Sequence, residues 1–166
     1  MERGAKQHLF FYFRTMEIIL GKGIGKLVLG ASLDHMQNHI GKPNRHFEDE
    51  DDSNLVILQY NELQVQLTFF KDEGSKLGNI SSINKDLSFA GQKIIGMSID
   101  EATEWFEKNG VADEWDREEF QSFTSHFHEQ YQLELHEEYG VITHFELGVP
   151  FKNDDEYQWP STLNQV

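Results

Sequence analysis

The sequence predicts an α+β fold, a tandem repeat in which each unit is a helix packed on an antiparallel β-sheet. Three observations carry that expectation. Leu29-Gly30-Ala31-Ser32-Leu33-Asp34 returns as Ile95-Gly96-Met97-Ser98-Ile99-Asp100, 66 residues later. The same offset pairs Leu33, Met36 and Ile40 with Ile99, Ala102 and Phe106, and spacings of three and four put each trio on one helix face. After each helix the pattern changes to runs that read as strands.

Taken in order, residues 1–15 read as an N-terminal extension, 16–85 as the first helix/antiparallel-sheet repeat, 86–150 as a second repeat sharing the core, and 151–166 as a C-terminal tail. Leu9 to Phe13 is too short for a secretory apolar region, which needs roughly 7–15 residues. The glycines of Gly21-Lys-Gly-Ile-Gly25-Lys26 fail both phosphate-binding patterns. Leu27 stands where a P-loop needs Ser or Thr, and Lys26 where the dinucleotide fingerprint needs glycine. They read as a turn between two strands.

Ser32 and Ser98 sit where an N-cap hydroxyl is wanted, and glycine regions at Gly41 and Gly110 stop the two helices. Leu55–Tyr60 and Leu63–Phe69 read as strands joined by a two-residue hairpin at Asn61-Glu62. Alternation puts Leu63, Val65, Leu67 and Phe69 on one face and Gln64, Gln66, Thr68 and Phe70 on the other. Gly74 to Gly78 reads as a turn, Ile80 to Ile83 as a short strand, and Asp116 to Phe123 as a short extra helix. Strands return over 125–136 and close with Val141 to Leu147. Leu33, Met36, Ile40, Ile99, Ala102 and Phe106 are expected to be buried against Val65, Leu67, Leu133 and Leu135.

Composition narrows the function classes. The chain has 166 residues, no cysteine and a net charge of −15. The absence of cysteine excludes disulfides, thiol nucleophiles and cysteine zinc sites, and suits the cytoplasm, where the protein is expected. No stretch approaches the roughly 20 apolar residues of a membrane span. The charge is uneven. Residues 1–83 carry 9 Lys and Arg against 11 Asp and Glu, a net −2, and residues 84–166 carry 5 against 18, a net −13. Such a field repels nucleic acid and anionic membranes and steers a basic partner in.

The histidines carry no ligand signature. His35 and His39 have the spacing of a zinc-protease helix, but Met36 replaces the general-base glutamate and no third ligand is evident. His126, His128, His136 and His144 crowd the late strands without a spacing rule that converges them, and read as exposed-face histidines. No metal, cofactor or catalytic residue is predicted.

The helix starts Leu29-Gly30-Ala31-Ser32 and Ile95-Gly96-Met97-Ser98, with the terminator Gly41-Lys42-Pro43, resemble those of the β-lactamase-inhibitor-protein-like repeats, which include small outer-membrane assembly lipoproteins. The resemblance covers about residues 17–150 and implies two sheets forming a curved platform that binds another protein. Its secreted members commonly carry disulfides or a lipidated cysteine.

The function expected from these readings is partner binding rather than catalysis. The chain reads as an inhibitor, most plausibly an immunity protein against a basic toxin such as a nuclease. The alternatives are an enzyme using paired carboxylates and a structural or assembly module. The expected partner-binding residues are the acidic run Glu48, Asp49, Glu50, Asp51 and Asp52 as a steering rim, with Tyr60, Gln64, Gln66, Phe70 and His126 on an open sheet face.

Overall fold

A computed structural model describes residues 16–161; the expectations for residues 1–15 and 162–166 fall outside the described part. Among the described residues the fold is α+β, mostly antiparallel sheet with two helices. A meander of short strands opens it: β1 (Ile18–Ile19), β2 (Gly23–Ile24) and β3 (Leu27–Val28). The first helix (Leu33–Ile40) leads to β4 (Arg45–Glu48), β5 (Leu55–Tyr60), β6 (Val65–Phe70) and β7 (Lys76–Ser82). The hairpin of β8 (Ser88–Phe89) and β9 (Gln92–Lys93) precedes the second helix (Ile99–Lys108). Then come β10 (Asp116–Glu119), β11 (Thr124–His128), β12 (Leu133–Glu138) and β13 (Val141–Gly148).

Both helix starts are built alike. Ser32 Oγ accepts the His35 N–H at 3.1 Å, and Ser98 Oγ accepts the Glu101 N–H at 3.2 Å, each satisfying an orphan donor of the first turn. The preceding glycines, Gly30 (φ 90°) and Gly96 (φ 96°), occupy a conformation that disfavours any side chain. That conformation docks the chain on the sheet. The Gly30 N–H reaches Leu77 O at 2.8 Å, and the Gly96 N–H reaches Ile142 O at 2.8 Å. The Gly-x-Ser motif is thus a dock followed by a cap.

The eight longer strands form one antiparallel sheet in the order β10-β11-β12-β13-β7-β6-β5-β4. Its two four-stranded halves meet where β13 pairs β7, with Glu146 opposite Ser81 and Leu147 opposite Ile80. β13 is therefore central, where the sequence suggests only a closing strand. One face of the sheet joins a single core with the helices and short strands. Leu63, Val65, Leu67, Phe69, Leu133 and Leu135 are all buried there with Met36, Ile40, Ala102 and Phe106. Phe106 is 0% exposed and stacks on Phe89, ring centroids 4.5 Å apart. Leu33 and Ile99, the first residue of each helix, are only half-buried against this core.

Two local expectations fail for definable reasons. Residues 116–119 are an edge strand, not a helix: Asp116 to Glu119 pair with Phe127 to Thr124. This stretch has no apolar face of either period, so backbone pairing decided it. Its charges suit an exposed edge, which they protect from further pairing. The hairpin after Tyr60 has a four-residue loop, because Tyr60 pairs with Val65. Asn61-Glu62 lacks the Gly that favours a tight two-residue turn, and Gln64 (φ 55°) takes the left-handed position instead.

Candidate functional site

Among the described residues the helices pack on one face of the sheet, and the strand register sets what the opposite face displays. Directly paired residues on neighbouring strands share a face. One transverse row therefore runs Gln59, Gln66, Ser81, Glu146, Glu134, Phe127 and Asp116 on β5, β6, β7, β13, β12, β11 and β10. The adjacent row holds His144, His136, Ser125 and Glu118 on β13 to β10.

At the centre of this face the polar groups bind one another. Ser125 Oγ donates to Glu134 Oε1 at 2.7 Å, and His136 Nε2 lies 2.9 Å from the same oxygen. His144 Nε2 lies 3.0 Å from Ser81 Oγ and 3.3 Å from Glu146 Oε1. The two imidazoles stack at 4.5 Å, and Phe123 stacks on His136 at 4.3 Å. The bond from His136 holds the Glu134 carboxyl far below the usual range, at about 2; burial opposes the shift and Ser125 adds to it. Glu134 is thus ionised at neutral pH and poorly suited to act as a general acid.

Ser81 and Glu146 both approach the same nitrogen of His144. A serine–histidine–acid relay needs them on opposite ring nitrogens, so this geometry is not that of an activated nucleophile. Two depressions flank the cluster. One, of about 360 Å³, is lined by Gln59, Gln64, Gln66, Ser81 and His144 among others. The other, of about 430 Å³, includes Asp116, Glu118, Phe120, Ser125, Phe127 and Glu134.

The expected partner-binding residues are scattered differently. Gln66 is exposed on the open face, and Gln64 is exposed in the hairpin loop. Phe70 is on the open face but is partly covered, its ring 5.5 Å from that of Tyr157 and 6.4 Å from that of Trp159. Tyr60 is not on that face. It is 4% exposed in the core, donates to Gly41 O at 2.8 Å, and burial pushes its hydroxyl up to about 12. His126 is likewise on the covered side, 8% exposed, with Nε2 2.6 Å from Glu137. Its neighbours in register, Arg117 and Leu135, share that side.

Glu48 to Asp52 leave the end of edge strand β4. Asp49 accepts the N–H groups of Asp51 and Asp52, and Glu48 pairs with Lys71. These acids shape their turn as well as charge it.

The four late histidines also part company. His126 and His128 are buried on the covered side, so they are not exposed-face residues, while His136 and His144 are half-buried on the open face. His35 and His39 stack at 4.0 Å, and no further ligand-type side chain joins them among the described residues. The sequence reading missed Ser81, Ser125, Glu134, His136, His144 and Glu146 as a group. A signal was present: Glu134-x-His136 and His144-x-Glu146 mirror each other about Gly140, the turn of a hairpin.

No protein-family model and no curated protein matches the chain. Among solved structures, it is similar to an extracellular protein containing a SCP domain from Bacillus anthracis str. Ames, with a TM-score of 0.49 and 12% identity, over 72% of this chain and 43% of that one. The chain thus spans less than half the length of that protein. It is also similar to a DUF4309 family protein, YjgB, from Bacillus subtilis subsp. subtilis str. 168, with a TM-score of 0.44 and 14% identity, over 87% of this chain and 94% of that one. Among the described residues no helix is long and apolar enough to cross a membrane.

Proposed function

We propose that the chain is a cytoplasmic protein-binding module that neutralises a basic partner, as an immunity protein does a basic toxin such as a nuclease. The observation that carries this reading is the layout of the open face. Polar and aromatic side chains with Glu134 and Glu146 occupy its middle, Asp116 and Glu118 stand on the β10 edge, and the acidic turn Glu48 to Asp52 lies just beyond the other edge strand, β4, whose open-face residues are Arg45 and Phe47. A partner of opposite charge is steered by such edges and held by the middle. The tandem-repeat, β-lactamase-inhibitor-protein-like reading supports the same role, since each Gly-x-Ser unit docks its helix on one side of the sheet and leaves the other side available.

The test begins with capture from the native host at low salt, followed by association kinetics of the identified partner at two salt concentrations. Replacing Glu48 to Asp52 with their amides is expected to slow association and flatten its salt dependence. Gln66→Ala and Phe127→Ala are expected to speed dissociation instead. Recovery of no basic protein, or an on-rate indifferent to salt in the unaltered chain, would sink this reading.

A further inference from the structure

We propose that His136, His144 and Glu146 form a binding site for a zinc-class divalent cation at the centre of the open face. One ligand atom from each lies within 4.8 Å of the others. Four-coordinate zinc, with bonds of about 2.0–2.2 Å, wants its ligands roughly 3.3 Å apart, so side-chain rotations that part the stacked His136 and His144 rings close the site. Two imidazoles with a carboxylate suit zinc and its neighbours rather than calcium or magnesium, which take oxygen.

Electrostatics points the same way. Glu134 and Glu146 are directly opposed on paired strands, both half-buried. Like charges in that relation destabilise a sheet. Among the described residues, the only basic groups within ion-pair distance of either carboxylate are His136 and His144 themselves. A bound cation would relieve the repulsion. The surroundings are also arranged to hold the ligands. Glu134, fixed by Ser125, anchors His136, while Ser81 contacts His144. His144 and Ser81 line the 360 Å³ depression, which gives an ion access and leaves room for a water or a partner's side chain to complete the coordination.

This site does not rest on the partner reading, because it is tested on the chain alone. Zinc titration against a chromophoric chelator is expected to give one tight equivalent. His144→Gln and Glu146→Gln should each weaken it by about tenfold or more, and Ser125→Ala less. A His35→Ala/His39→Ala double variant should bind as the unaltered chain does. Should a site variant fail to fold, cobalt added to the unaltered chain still decides. Visible absorption of four-coordinate intensity, displaced by one equivalent of zinc, supports the site, and octahedral weak bands oppose it. Absence of zinc binding by the unaltered chain would overturn the proposal. So would binding that survives His144→Gln but is lost with His35 and His39.

Discussion

The two halves of the central sheet share a covered side and differ on the open one. Strands β4–β7 present Ile57, Gln59, Gln66, Thr68 and Phe70, and Phe70 is packed under the chain's own C-terminal segment. Gly78 makes room for that ring: a Cβ there would stand 2.2 Å from it. Lys76 lies over the ring of Trp159 at 5.1 Å, completing the cover. Strands β10–β13 present Asp116, Glu118, Glu134, His136, His144 and Glu146. Residues 84–166 carry 13 of the 15 net negative charges, 18 acids against 5 bases. One half therefore spends its open face on self-packing, and the other keeps titratable groups available. Function should concentrate in the second half and at the seam where Ser81 meets Glu146.

The covered sides are expected to behave alike, and the largest effects test that. Phe106→Ala should cost about 3–5 kcal/mol in urea denaturation, and Met36→Ala in the first helix about 2–5. A small loss at one and a large loss at the other would break the symmetry. Gly78→Ala should cost about 1–3 kcal/mol by overpacking and displace Phe70, with a red shift in tryptophan emission as Trp159 loosens. No change would mean the tail does not use the first half's open face.

The second half should respond to acid through Glu134. Glu134 titrates below its unfolded value of 4.5, at about 2 in the folded chain. Its contribution is present above pH 4.5 and is lost as the pH falls towards 2. Its carboxyl is about a quarter exposed, which trims the effect to on the order of 1–2 kcal/mol. Urea midpoints measured between pH 6 and pH 2.5 should fall less steeply in Glu134→Gln than in the unaltered chain, a window set by the shift itself. Identical slopes would remove Glu134 from the account. The smallest expected effects are Ser32→Ala and Ser98→Ala, about 1 kcal/mol each. Unequal losses would separate the two helix starts that the backbone geometry makes alike.

Local rules made much of this fold legible. Helix faces, serine caps and glycine stops were readable because each depends on residues a few positions apart, and the alternation of Leu63 to Phe69 named the buried face of β6 correctly. The edge strand at 116–119 was not readable, because a charged stretch without a periodic face takes its structure from its neighbour. Tyr60 and His126 were misplaced for a related reason. Which side of a sheet a residue faces is set by its cross-strand partner, and the partners of Tyr60 and His126, Val65 and Leu135, both lie on the buried side.

By itself the sequence determined the two helices, their caps, most strands and the skew of charge, since these rest on short-range periodicity and composition. Only the tertiary structure decided that β13 pairs β7, which merges the two sheets and sets Ser81 beside His144 and Glu146. It also decided that His136 and His144 stack on the open face while His126 and His128 are buried. The first follows from pairing between residues as far apart as Ser81 and Glu146, of which local spacing carries no record, and the second from the register of the β11–β12–β13 meander, which sets the face of every residue in it.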